Sequence, residues 1–432
     1  MVSTLPRGYK ESPIGSIPAE WECLPFKSGL ACKPEYGANA SAVEPSDDDF
    51  IRYIRITDIN DNGTLTTDTC KALPENEAHD YMLQDGDIVI ARTGNTVGKS
   101  LLFTPNMGRC AFAGYLIKFK LDQEKLEPRF AIQYLRCDIF WNWIKASIKV
   151  GAQPNINSQQ YQALPVAFPP LPEQKKIASI LSAVDNKLDL IDRKITATRT
   201  LKKGLMQRLF SQGVGTQDAD GHWQPHNEYK DSELGRIPAG WEVKTFDDAL
   251  QMIERPVGME DTSEYQLVTV KRRYGGVVKR SRLEGKDIKV KSQYFLKEGD
   301  FLISKRQIVH GACGLVGTHL SGAIVSNEYH TFKSKDGYFL PYINRLVQTP
   351  HYLKTFLLAS IGVHIEKMLF KYDQWAKFQI PVPPLDEQQQ IVHIFSSLDN
   401  KIGRLEEQKT SYQQLKKGLM QKLLTGQWRV NV

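Results

Sequence analysis

The chain repeats itself. Tyr9–Glu22 reads YKESPIGSIPAEWE and Tyr229–Glu242 reads YKDSELGRIPAGWE, an offset of 220. Pro169 opens PPLPEQKKIASILSAVDNKL, and Pro383 opens PPLDEQQQIVHIFSSLDNKI, 214 residues later. LKKGLMQRLF from Leu201 returns as LKKGLMQKLL from Leu415 at that same spacing. Solenoid units run about 20–50 residues, so a period of this size duplicates a whole domain. Between the matched ends the likeness fades to two echoes. DGDIVIARTGNTVG from Asp85 answers EGDFLISKRQIVHG from Glu298, and YIRITDI from Tyr53 answers YQLVTVK from Tyr265. Two divergent bodies inside one frame suit two recognition surfaces on a shared scaffold.

Periodicity supplies the frame. From Glu173 to about Ser211 there is no proline, and apolar or small residues fall at Ile177, Leu181, Val184, Leu188, Ile191, Ile195 and Thr198. Alternating steps of four and three make a heptad seam, narrower than the face of a globular helix. The second copy keeps the phase at Ile391, Phe395, Leu398, Ile402, Leu405, Lys409 and Tyr412. At ~1.5 Å per residue each helix runs roughly 55–60 Å, and each is the natural partner of the other. Pro169, Pro170 and Pro172 open the first, and Pro381, Pro383 and Pro384 the second, as helix starts favour. The bodies read as mixed α/β. FIRYIRITDI, DIVIAR, YLIKFKL, YQLVTVK and FLISK are β-rich runs. PRFAIQYLRCDIFWNWIKAS and LPYINRLVQTPHYLKTFLLAS each predict one amphipathic helix.

Composition narrows the class. With 432 residues, 41% hydrophobic and 24% charged, a soluble, globular, multidomain chain is expected. No apolar run reaches the ~18–20 residues of a membrane span, and no secretory signal opens the sequence. Cys23, Cys32, Cys70, Cys110, Cys137 and Cys313 are scattered, a poor disulfide framework that fits a reducing cytoplasm. Lys and Arg exceed Asp and Glu by 56 to 49, a mild excess compatible with a polyanionic partner.

Catalytic signals fail one by one. GNTVGKS (Gly94 to Ser100) has three residues between Gly94 and Gly98 where a P-loop needs four. FPPL at Phe168 and VPPL at Val382 superficially match the Pro-Pro motif of adenine methyltransferases. They lack the hydrogen-bonding side chain before the prolines and the stacking ring after them. No CxxC, HxH or HExxH indicates zinc. His222 and His226 lie in a polar linker and read as solvated, and Glu284-Gly285-Lys286 is too short to define a nuclease.

These motifs carry a resemblance. The YKESPIGSIPAEWE frame, the DGDIVIARTGNTVGK strand-turn, GAQPNINSQQYQALPVAFPPLPEQKKIASIL and the closing LKKGLMQKLLTGQWRV resemble specificity subunits of type I restriction-modification systems, over essentially the whole chain. The resemblance implies an α+β chain with internal pseudo-two-fold duplication, in which two long antiparallel coiled-coil helices separate two α/β target recognition domains. The expected boundaries are 1–168 and 214–382 for those domains, with 169–213 and 383–432 for the helices. It further implies a non-catalytic, cytoplasmic subunit reading a split double-stranded DNA target. Two modification subunits would methylate adenine and two restriction subunits would cleave. S-adenosylmethionine, ATP and Mg belong on those partners, with no cofactor or metal in this chain. A stand-alone coiled-coil DNA-binding regulator and a self-sufficient DNA methyltransferase are the competing readings. The second body departs from the pattern, with VHIEKMLFKYDQWAKFQIPVPPL where the first has GAQPNIN before its PPL.

Candidate DNA contacts follow from side-chain chemistry. Arg92, Thr93, Gly94, Asn95 and Lys99 sit on a turn leaving a strand, where Arg suits guanine and Asn suits adenine. Their counterparts are Ser304, Lys305, Arg306 and Gln307. Arg52, Tyr53, Arg55 and Thr57, with Lys271, Arg272, Arg273 and Tyr274, form a second candidate edge. Gln153, Asn155 and Asn157 precede the first long helix.

Overall fold

The structure, a computed structural model, describes residues 7–46, 49–66, 69–148 and 153–432. Two compact units result: Met1–Arg193 with Glu406–Val432, and Lys194–Leu405. The long helices are Leu171–Gln212 and Leu385–Leu423. In the first unit Asp185 pairs with Lys416 at 2.7 Å and Asp192 with Lys409 at 2.6 Å. In the second, Lys202 pairs with Asp399. Residue numbers rise on one helix as they fall on the other, so the paired stretches are antiparallel within each unit. Ile177, Leu181, Ile191, Ile195 and Thr198 are buried along the expected seam, as are Ile391 and Phe395. Phe395 stacks on Phe210, 5.7 Å between centroids.

The two bodies share one topology. In the first unit a four-stranded antiparallel sheet orders Glu35–Tyr36, Leu116–Phe119, Ile88–Ala91 and Ser100–Leu102. In the second the order is Leu250–Met252, Tyr329–Ser334, Phe301–Ser304 and Cys313–Leu315. Each unit adds a second sheet holding one parallel pair, Ile51–Ile54 with Cys110–Phe112 and Glu264–Val270 with Ile324–Ser326. The weak internal echoes thus mark a repeated fold whose side chains have diverged.

The amphipathic segment before each long helix is two helices, not the single one expected. They are Pro128–Tyr134 and Asp138–Ser147, then Leu340–Leu346 and Pro350–Leu358. In the second unit Pro350 explains the break, because the residue before proline avoids the helical region. Cys137 and Thr349 take extended N-cap conformations at matching places.

The repeated Glu-Gln at each helix start locks the frame. Glu173 and Glu387 are each 1% exposed. Glu173 Oε2 accepts from Trp21 Nε1 at 2.9 Å, and its Oε1 from Arg429 Nε at 2.7 Å. Glu387 Oε2 accepts from Trp241 Nε1 at 2.8 Å, and its Oε1 from the amides of Val214 and Gly215 at 2.8 and 3.0 Å. His226 Nε2 lies 2.9 Å from the same oxygen. His222 is exposed as expected, whereas the His226 side chain is 7% exposed, a carboxylate partner rather than a solvated group. Both carboxylates occupy the first helical turn, where the helix dipole favours negative charge. Gln174 and Gln388 each accept an amide, from Glu127 and Phe339, which ties body to helix. Gly213 has φ +72°, and a Cβ there would fall 2.2 Å from Glu387 Oε1, so only glycine closes the turn.

Candidate nucleic-acid interface

In the first unit the strand Ile88–Ala91 delivers Arg92 to a turn that a distant loop completes. Arg92 N–H donates to Tyr115 O at 3.0 Å, and Ile156 N–H donates to Arg92 O at 2.9 Å. Gly94 N–H donates to Pro154 O at 2.9 Å, and Thr93 bridges Asn155. The structure therefore brings Arg92, Thr93, Gly94 and Asn95 together with Gln153 and Asn155. The Arg92 guanidinium lies over the Tyr36 ring, 4.9 Å from its centroid, the geometry of a cation–π contact. Among the described residues Arg92 makes no ion pair, so its charge is not neutralised by a neighbour. Asn157 is placed differently: its side chain caps the helix Ser158–Gln162 by accepting from Gln160 N–H.

The second unit repeats this backbone. Lys305 N–H donates to Glu328 O and Phe370 N–H donates to Lys305 O, both at 2.9 Å. Lys305 thus stands where Arg92 stands. Arg306 Nε donates to Glu328 Oε2 at 2.7 Å. The hairpin turn Lys271–Gly276 adds Arg272, whose Nε donates to Gln307 Oε1 at 2.8 Å and whose Nη2 donates to Glu366 Oε2 at 2.6 Å. Lys271, Arg272 and Arg273 are exposed. Ser304, 7% exposed, and Tyr274 are not surface groups in the same sense. Tyr274 OH donates to Val347 O at 3.0 Å and anchors the turn.

At the other expected edge of the first unit most of the polar side chains are bonded within the fold. Tyr53 is 3% exposed and donates to Ala38 O at 2.7 Å, so it is a core residue. Arg55 grips Asp58 with two bonds of 3.0 and 2.8 Å and also donates to Thr69 O. Arg52 donates to Thr66 O. Thr57, exposed, stands beside Asp58, 3.5 Å from its Oδ1. Lys99 pairs with Asp61 at 2.7 Å. These polar side chains satisfy the interior and rim of the sheet, a role that strand alternation alone could not assign. Conversely, sequence reasoning missed Tyr36, Glu328 and Glu366, each from a segment remote in the chain, and His310, three residues beyond Gln307.

The segments nearest to a nucleotide loop or a metal cluster are engaged within the fold. The amides of Gly94, Gly98 and Lys99 are bonded to Pro154, Ala91 and Thr96 carbonyls, so these three are engaged within the fold. Asp218, Asp220 and His222 come close on an exposed hairpin. Asp218 already accepts from the amides of Asp220 and His222. Glu284 pairs with Lys286.

Beneath Lys305, His330 packs among Phe332, Phe370 and Tyr372. Burial, reinforced by Lys305 and opposed by Asp373, pushes its pKa down to about 4. A His held neutral when folded costs nothing above pH 6.5. Below that the unfolded chain takes the proton first, and stability falls until about pH 4. Going from pH 7 to 5 should destabilise the wild type by on the order of 1 kcal/mol more than His330→Gln, allowing for partial solvent screening. Paired urea melts at both pH values check this; parallel losses in the two proteins would refute it.

The sequence matches the family described as type I restriction modification DNA specificity domain twice, over residues 34–198 and 238–416. A putative type I restriction enzyme specificity subunit (MjaX) of Methanocaldococcus jannaschii is 27% identical, covering 98% of this chain and 97% of that one. The MjaVIII specificity subunit of the same organism is 25% identical over 81% of each. Among solved structures, a type I restriction-modification S subunit from M. genitalium superposes with a TM-score of 0.57 at 14% identity, covering 94% of this chain and 96% of that one. A chain from a structure describing assembly and conformational transition of the type I R-M system gives 0.52 at 16% identity, covering 95% and 99%.

Proposed function

Because the chain belongs to the family of type I restriction-modification specificity subunits, we propose that each unit reads one half of a split duplex target through its cation-bearing turn. The supporting observation is the repeated backbone frame around Arg92 and Lys305. Identical main-chain bonds hold different side chains in the two units, which is what two different half-sites require. Base edges in the major groove distinguish all four pairs, so exchanged side chains on a fixed frame change the sequence read.

In this reading the chain guides adenine methylation carried out by modification subunits, with S-adenosylmethionine on those partners. Restriction subunits bring ATP and Mg, and the assembly works in the cytoplasm. Two copies of the modification subunit are favoured by a groove that occurs once in each unit. In the second it measures about 880 Å³ beside Lys203, Met206, Gln207, Leu234 and Pro350. In the first it is about 220 Å³ beside Lys417, Met420, Gln421, Ile14 and Asp138. The repeated LKKGLMQ motif, hairpin and short helix build both, so a docking partner meets like surfaces twice.

Arg92→Ala tests the division of labour. It should relax one position of one half-site, at about 1–3 kcal/mol for a lost bidentate base contact, and leave the other half-site intact. The methylated motif in cells carrying the variant and its modification partner is the readout. Equal loss of selectivity in both half-sites would refute independent reading.

A further inference from the structure

Arg272 and Glu366 form an ion pair that the fold does not need. Their side chains are 50% and 56% exposed, and exposed pairs contribute about 0–1 kcal/mol. The turn that carries Arg272 is nevertheless built at a cost. Arg273 and Tyr274 both lie in the left-handed region, at φ 55° and 56°, where non-glycine residues are strained. Their amides donate to His310 O and Gly311 O at 2.7 and 2.8 Å, so the strained turn is held firmly. Gln307 and Glu366 grip the Nε and Nη2 side of the guanidinium. Among the described residues no acceptor meets the end bearing Nη1, which is left for an outside one. On the carboxylate, Oε1 lies 3.2 Å from His310 Nε2 but out of line for a hydrogen bond, so it keeps acceptor capacity.

The result is two donors beside one acceptor on an exposed, preorganised surface. A G·C pair shows the complement in the major groove: acceptors N7 and O6 on guanine, then the N4 donor on cytosine. Adenine puts a donor, N6, where the second arginine donor would land, so an A·T pair does not fit. We propose that Arg272 and Glu366 together read one G·C pair, the guanidinium on guanine and the carboxylate on cytosine N4. This rests on the reading that the unit contacts duplex DNA through its turns. It adds an acidic residue, Glu366, to the specificity-determining set. Among the described residues of the first unit Arg92 meets no such carboxylate and rests on Tyr36 instead, so the two half-sites are read by different chemistry.

The test compares Arg272→Ala, Glu366→Ala and Glu366→Gln in the full chain assembled with its modification subunit, using randomised duplexes and a salt titration. Arg272→Ala should relax one position of one half-site. Glu366→Ala should relax that same position, lowering its G·C preference about tenfold, the scale of one base contact. Glu366→Gln keeps an acceptor and should retain part of the preference. If Glu366→Ala instead tightens binding to every sequence and steepens the salt dependence by about one, the carboxylate only masks a phosphate-binding arginine, and the proposal is overturned. An unchanged preference in Glu366→Ala, with Arg272→Ala still relaxing its position, overturns the paired readout alone. If Arg272→Ala leaves the motif intact, DNA reading through this turn fails with it.

Discussion

Replacing Glu387 with alanine is expected to destabilise the second unit by about 3–5 kcal/mol, because several buried donors lose their one shared acceptor. Its carboxylate is the common acceptor for Trp241 Nε1 and the amides of Val214 and Gly215, with His226 beside it. Alanine leaves these donors inside the protein without an acceptor, at about 1–3 kcal/mol each before relaxation. Glu387→Gln keeps an acceptor but turns an NH2 group toward other donors, so its loss should be smaller. Trp241→Phe removes one donor and should cost least. Amide hydrogen exchange at Val214 and Gly215, read beside urea unfolding, separates local release from global loss. A change below about 1 kcal/mol in Glu387→Ala would refute the role assigned to this carboxylate. Glu173→Ala should act alike in the first unit, with Arg429 and Trp21 as the stranded groups.

The purified chain is expected to transfer no methyl group and to cut no DNA. Adding the cognate modification subunit should produce transfer from S-adenosylmethionine at one defined motif. That difference amounts to the whole catalytic acceleration, about 10⁶-fold or more for a typical enzyme. The features that most resembled catalytic motifs have other work. The amides of Gly94, Val97, Gly98 and Lys99 are bonded to the carbonyls of Pro154, Gly94, Ala91 and Thr96, and Lys99 is paired with Asp61. The PPL segments begin helices, and the carbonyls of Pro169 and Pro383 accept from Gln174 and Gln388. Tritium transfer from labelled cofactor, with and without the partner, decides the matter. Stoichiometric transfer by the chain alone would sink the recognition-subunit reading and favour a self-sufficient methyltransferase.

Much of this protein was legible in its residues. Heptad spacing marked both long helices, because a seam must recur each turn whatever surrounds it, but the second ends at Leu423 rather than running to residue 432. The strand-turn at Arg92 was legible for the same kind of reason: a buried apolar run ending in Arg-Thr-Gly-Asn has to expose its polar end. The break in each amphipathic segment was less legible. Apolar spacing continues across Cys137 and across Thr349, and only Pro350 marks either break locally.

By itself, then, the sequence determined the duplication, the two long helices and the separation of conserved frame from divergent body, since each depends on local periodicity or on self-similarity. Tertiary structure alone decided which polar groups are spent inside. Lys99 on Asp61, Tyr53 on Ala38 and His226 on Glu387 look like surface groups until their partners arrive from elsewhere in the fold. It also decided that Glu366 meets Arg272, 94 residues away. Hydrogen bonds and ion pairs act over a few ångströms of space, and chain distance carries no record of them.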